Sequence, residues 1–415
     1  MHPERFMMSF SNRLFFQDKL NRLSLLVEKK KALGESILDL TESNPTRIGL
    51  NYPDNLLAAL AEESSLHYSP VPAGSLPARL AVAAYYAEKG KEVCAEDIFL
   101  AASTSEAYSW MFKLLADPGD SVLIPRPGYP LFDYLAAFES VRLDHYPLRH
   151  DAFWRLDLDA LKPSIIDTTR AIIYVNPNNP TGSYMRADDW AALSGICSLH
   201  SMALIIDEVF SDYRLHQPGG PDKGTAAQAP LLQSALIQTV AGRHDCLNFI
   251  LSGLSKLLCL PQMKLAWIVI SGPKEERQEA RSRLEFIADT YLSVNTPVQN
   301  AVARWMAFRG EIQAQVLKRV RGNLLFLEQQ TKNSPCDVLD VEGGWYAVVQ
   351  VPTTLTEEEW ALSLLEEENV LVHPGYFFDF DREAFLIVSL LPPPEVFESG
   401  VQRIMERISR ITTDS

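Results

Sequence analysis

Between residues 97 and 271 the chain repeats one pattern: a short, nearly unbroken apolar run that ends abruptly in polar or turn-forming residues. The runs are DIFLAAS (97–103), SVLIPRP (121–127), AIIYVNP (171–177), ALIIDEVF (203–210), NFILSG (248–253) and LAWIVIS (265–271). Runs of that length without alternation fit strands covered on both faces, and so a mostly parallel sheet flanked by helices. Helical spacing predicts a helix over 14–33, with Leu20, Leu23, Leu26 and Val27 on one face and Gly34 as its stop. A second helix is expected over 74–90 and a long one over 296–333, interrupted near Gly310 and Gly322. TESNPTRIGL reads as a loop, and 215–245 as a loop with one helical piece. The tail changes character. WYAVVQVP, a helix at 356–368, NVLVHPG, FLIVSLL and a last helix from 394 form an α+β pattern. The fold class expected is therefore α/β, a large unit plus a smaller α+β one.

Acidic residues outnumber basic ones 53 to 38, a net charge of −15, which argues against broad binding to nucleic acid or an anionic membrane. It leaves room for a small basic pocket holding one phosphate. The five cysteines are scattered without CxxC spacing, which disfavours a disulfide framework or a zinc site. No metal is expected. The N-terminus lacks the apolar stretch of a signal peptide, and no run is long enough to span a bilayer, so the expected location is the cytoplasm.

In open α/β sheets ligands sit outside the carboxyl ends of the strands, and the polar residues there are the candidates. Asn179 lies in the rigid NPNNPTG turn as a neutral amide. Asp207 follows four apolar residues, where an unpaired carboxylate is costly. Lys256 follows a strand and a Ser/Gly turn, and a desolvated lysine can form a Schiff base. Ser103, Thr104 and Ser105 open a helix, where free N–H groups and hydroxyls suit an anion. Tyr129 sits in a Pro/Gly turn. Each has a plain structural use as well: turn former, helix cap or internal ion pair, surface lysine, N-cap, core tyrosine. Taken together they supply an amine, a buried acid, an amide, an aromatic plate and a phosphate cradle. Pyridoxal 5′-phosphate needs that set.

From about residue 35 onward the chain resembles the class I/II aminotransferases, the fold-type I enzymes that use pyridoxal phosphate. NPNNPTG is similar to the family's NPxNPTG motif, DEVF to DEVY, and SGLSK followed by Lys264 to its lysine signature. YSPVPAG (68–74) and ADPGDSVLIPRPGYPLF match two further segments. The resemblance implies a fold of a large cofactor-binding domain (51–295), with an N-terminal segment (1–50) joining a small domain that comprises an interdomain helix and the C-terminal part (296–415). It implies that Lys256 forms the Schiff base and shuttles the proton. Asp207 would pair with the pyridinium nitrogen, Asn179 would bond the ring 3′-oxygen and Tyr129 would stack on the ring. Ser103, Thr104, Ser105, Ser255 and Lys264 would bind the phosphate. Tyr68 matches a tyrosine that reaches the neighbouring subunit's phosphate, which implies a homodimer with a shared active site.

The chain departs from the family pattern in four places. Phe210 replaces a tyrosine that donates to the 3′-oxygen, unless Tyr213 or water takes over. Ser103 stands where many relatives have glycine, and Gly253 where many have serine. The arginine that grips the substrate carboxylate falls at Leu386. Arg47 and Arg126 are the replacements to consider, since a guanidinium–carboxylate pair is hard to replace by apolar contact. The expected function is amino transfer between an amino acid and a 2-oxo acid. The alternatives are another pyridoxal phosphate reaction, such as a β-lyase, decarboxylase or cyclopropane-synthase-like one, or a relative that binds the cofactor without turnover. A DNA-binding regulator would need an added domain, for which the N-terminal segment is too short.

Overall fold

The computed structural model describes residues 10–14, 21–151, 153–215, 235–382 and 384–413. Its strands in chain order are β1 (Leu38–Asp39), β2 (Ile98–Ala101), β3 (Ser121–Arg126), β4 (Arg142–His150), β5 (Trp154–Leu156), β6 (Thr169–Val175), β7 (Ala203–Asp207), β8 (Asn248–Gly253) and β9 (Ala266–Ser271). They continue as β10 (Asp337–Val338), β11 (Tyr346–Gln350), β12 (Val370–Leu371), β13 (His373–Pro374) and β14 (Phe385–Ser389).

Eight of these strands form one sheet in the order β2-β9-β8-β7-β6-β3-β4-β5. The pairs β8–β7, β7–β6, β6–β3 and β3–β4 are parallel. Pairs β2–β9, β9–β8 and β4–β5 are antiparallel, so six strands run one way and only β9 and β5 run against them. Every residue of β7, β8 and β9 is buried. That is why their sequences are apolar without alternation: helices cover both faces. The six expected strands are all present, most of them trimmed at one end or both. The pair β4 and β5 was not expected. RLDHYPLRH is half-solvated towards the sheet edge, so polar residues interrupt its pattern, and Pro147 speaks against a strand by sequence alone.

A second sheet has the order β10-β11-β14-β13, antiparallel throughout. The short parallel pair β1–β12 ties the N-terminal segment to this tail. Helix Glu357–Glu368 starts at a Thr356–Glu359 capping box, and helix Pro394–Thr413 closes the chain's described part.

Two helix expectations need correction. The stretch 296–333 is two helices, Thr296–Ala307 and Arg309–Thr331, broken at Phe308. Gly310 and Gly322 lie inside the second helix, each facing open space, so each costs only about 1 kcal/mol of helix propensity and breaks nothing. The N-terminal helix spans Arg22–Ala32, because the Asn21 side chain caps it by accepting from the Ser24 N–H at 2.8 Å. Residues 15–20, including Leu20, lie outside the described residues. So do 216–234, and the remainder of the expected loop, 235–245, contains no helix. Among the described residues no helix is long and apolar enough to cross a membrane.

Candidate active site

The parallel strands bring their carboxyl ends to one edge of the sheet. Asp207 ends β7, Lys256 follows β8 in the single turn Leu254–Leu257, and Asn179 follows β6. Tyr129 follows β3, and Ser103 links β2 to helix Thr104–Leu115. Backbone contacts lock these loops together. The Asn176 N–H donates to the Asp207 carbonyl at 2.8 Å, and the Asn178 amide donates to the Pro127 carbonyl at 3.4 Å.

Asp207 is buried, and its carboxylate accepts from the Val209 N–H at 3.1 Å and the Tyr108 hydroxyl at 3.0 Å. No ion pair forms on it among the described residues. Burial pushes its pKa up to about 6, with those two donors and Lys256 pulling the other way. A buried acid that lacks a cation fits a protonated ring nitrogen.

Lys256 is half-buried, and the surrounding protein lowers its pKa, opposed by Cys259 and Asp207. Burial lifts the Cys259 thiol to about 11, so near neutral pH it is uncharged and does little to hold the lysine proton. Gly253 carries no side chain because a Cβ there would sit 2.9 Å from the Ala266 backbone. A serine, expected by resemblance, has no room.

In the NPNNPTG turn, two asparagines are structural. The Asn176 amide donates to the Ile237 carbonyl and accepts from the Met185 N–H, each at 2.9 Å, and Asn178 accepts from the Thr181 hydroxyl at 2.9 Å. Asn179 differs: its buried amide oxygen has no partner among the described residues. An unsatisfied buried polar atom is costly, and a ligand donor beside it, or an amide turned so that its N–H faces a ligand oxygen, would relieve that cost. Asp207, Lys256 and Asn179 thus suit the seat of a pyridoxal ring.

Tyr129 is 42% exposed and stands edge-on to Phe132, with ring centroids 6.1 Å apart. Burial and Asp207 raise its pKa. The Ser103 hydroxyl accepts from the Glu106 N–H at 3.1 Å, while the Glu106 carboxylate accepts from the Ala102 N–H at 2.7 Å. Ser103 therefore works as an N-cap, and Thr104 and Ser105 are half-buried in the first turn. Ser255 is half-buried next to Lys256, and Lys264 is exposed. Tyr68 stands apart on the surface, 79% exposed.

Tyr213 does not replace the hydroxyl lost at Phe210. It is fully buried, and its hydroxyl donates to the Lys256 carbonyl at 2.5 Å. Leu386 is packed in the second sheet, opposite Val349 and Pro374. Arg47 lies 3.6 Å from Glu42 with its side chain 73% exposed, and Arg126 lies 3.6 Å from Asp379.

Two neighbours were missed by sequence reading. Tyr108, which holds Asp207, sits one turn after Thr104 and looks like any helical core residue. Trp345, whose ring centroid is 4.9 Å from the Lys256 Nζ, lies far along the chain. Its only signal is the Gly343–Gly344 pair before a strand.

A family model described as aminotransferase class I and II matches residues 33–404. A glutamate-pyruvate aminotransferase of Haemophilus influenzae is 25% identical over 91% of each chain. An alanine aminotransferase of Mycobacterium tuberculosis is 27% identical, over 90% of this chain and 86% of its own. The solved alanine aminotransferase of Pyrococcus furiosus superposes with a TM-score of 0.83 at 21% identity, over 97% of this chain and all of that one, and so shares the fold. The chain belongs to the class I and II aminotransferases, the fold-type I enzymes that depend on pyridoxal phosphate.

Proposed function

We propose that the protein transfers an amino group between an α-amino acid and a 2-oxo acid with Lys256 as its acid–base group. The observation that carries this reading is the buried Asp207 carboxylate, without an ion pair among the described residues, near a lysine whose proton is loosened by burial. When bound, pyridoxal phosphate supplies an aldehyde that accepts the amino group and a ring that draws electrons from the substrate's α-carbon. Lys256 Nζ would be the amine that holds the cofactor's aldehyde carbon and, once freed by the incoming substrate amine, the base that moves the proton at the α-carbon. Asp207, aligned by Tyr108, would keep a proton on the ring nitrogen. The Asn179 amide N–H would donate to the ring oxygen and Tyr129 would cover one ring face. The first-turn N–H groups at Thr104 and Ser105, with Ser255 and Lys264, would hold the phosphate, while the Ser103 hydroxyl caps the helix.

Tyr68 is exposed in one chain, which suits a residue that completes the site of a second copy in a homodimer. The β1–β12 pair supports grouping 1–50 with 296–415 as a small domain beside 51–295. Cysteines that are all free fit the cytoplasm. The relatives' names make alanine and glutamate the first donors to test. With Leu386 in the arginine position, the substrate carboxylate falls to Arg126, which shares the turn of Tyr129, with Arg47 as the second choice. The same leucine is what favours the other reading, a β-lyase or related pyridoxal phosphate reaction. Such an enzyme would release pyruvate and ammonia without a 2-oxo acid acceptor.

The test is the absorption spectrum of the purified protein during titration with single amino acids. A visible band fixed by borohydride in the parent and absent in Lys256→Ala is expected, with activity at least about 10³-fold lower in that variant. A donor should bleach the band and a 2-oxo acid restore it. Arg126→Ala should raise the donor KM roughly tenfold or more. Unchanged KM in both Arg126→Ala and Arg47→Ala would remove the carboxylate assignment.

A further inference from the structure

Trp345 belongs to the segment that leads into the second sheet, yet it reaches the lysine of the first. The path is narrow. The Gly343 N–H donates to the Gly182 carbonyl at 2.9 Å, and the Gly344 N–H donates to the Tyr213 carbonyl at 3.0 Å. A Cβ on Gly343 would lie 2.5 Å from the Tyr184 ring. Just before it, Glu342 accepts from the Tyr184 N–H at 2.9 Å and pairs with Arg186. The segment is thus threaded between the NPNNPTG turn and the residues after β7. It emerges with Trp345 against the lysine.

Around Lys256 three aromatic rings close into a wall. The Nζ lies 4.9 Å from the Trp345 centroid and 5.5 Å from that of Phe210. Trp345 packs edge-to-face on Phe210 at 5.2 Å and on Tyr213 at 5.0 Å. Tyr213 in turn holds the Lys256 carbonyl. Trp345 is fully buried, and its indole N–H has no acceptor among the described residues. A phenylalanine would fill much of that space without burying an unpaired donor. What tryptophan adds is the strongest ring face for a cation.

We propose that Trp345 is a positioning residue for Lys256: its ring face, with that of Phe210, holds the charged amine at the strand ends. This ties the lysine's charge to the placement of the second-sheet segment. It adds to the reading of Lys256 as the acid–base group but does not depend on it, because the test needs no turnover and no bound cofactor.

The measurement is the pH dependence of amine acylation at Lys256, followed by peptide mass spectrometry in the full-length chain freed of cofactor, with exposed lysines as internal standards. Acylation needs the neutral amine, and the ring faces favour the charged one. Trp345→Leu should lower the Lys256 midpoint by roughly half to one and a half pH units, and Trp345→Phe by less. The other lysines should not move. Fluorotryptophan incorporated at all seven tryptophans keeps the shape and weakens the face, so the midpoint should fall there too, even if Trp345→Leu does not fold. An unchanged midpoint with fluorotryptophan, or a Trp345→Phe midpoint as low as that of Trp345→Leu, overturns the proposal. A parent protein that transfers no amino group, with these midpoints as expected, would instead count against the functional reading.

Discussion

At the scale of the residue, the site is a set of groups held away from their ordinary protonation. Asp207 keeps its proton to about pH 6, against an ordinary 3.8, because burial penalises the carboxylate. A folded state that binds the proton more tightly than the unfolded one loses stability as pH rises through that window, here from about pH 4 to 6. Without cofactor, Asp207→Asn should therefore be more stable than the parent above pH 6, by on the order of 2–3 kcal/mol. Near pH 4 the advantage should vanish. Urea unfolding at a series of pH values measures it, and a difference that stays constant across the series would sink the idea. With cofactor bound the preference should reverse, since the carboxylate then has a cation to pair with. Phe210 and Leu386 are also residue-scale facts. At the family positions proposed for them each would remove a polar contact, and Tyr213 would not restore the first because its hydroxyl already donates to the Lys256 carbonyl.

At the scale of the element, strand ends and one glycine passage do the placing. The buried strands β6, β7 and β8 deliver Asn179, Asp207 and Lys256 because parallel neighbours finish at the same edge. The 342–345 segment delivers Trp345 from the opposite end of the chain. Gly343→Ala would set a methyl 2.5 Å from the Tyr184 ring and 3.0 Å from the Tyr213 carbonyl, neither of which can yield. A loss of about 1–3 kcal/mol in urea unfolding is expected. Gly195→Ala, in helix Ala187–His200 with nothing within 4 Å, should be neutral or slightly stabilising. If the two substitutions behave alike, the passage is looser than described.

For the whole molecule, the surface near Tyr68 matters most. Leu57, Leu66 and Tyr68 are 60%, 84% and 79% exposed. Large apolar side chains bared within a dozen residues of chain suit an interaction surface. A homodimer would cover them and would bring Tyr68 to the neighbour's phosphate site. Sedimentation should give twice the chain mass of 46.6 kDa. Leu57→Asp with Leu66→Asp should shift it to the monomer and weaken cofactor retention. A parent protein that sediments as a monomer at micromolar concentration would remove Tyr68 from the site.

The apolar runs, the turn chemistry of NPNNPTG and the acid at the end of ALIID were enough to read the parallel sheet and to single out Asp207, Lys256 and Asn179 as candidates at its strand ends. Period and local propensity carry that information, because each strand and its following turn are contiguous in the chain. They could not reveal β4, whose half-solvated pattern hides it. Nor could they place Tyr108 under Asp207 or Trp345 against Lys256. Those contacts join residues 99 and 89 positions apart in the chain, and only packing brings them together.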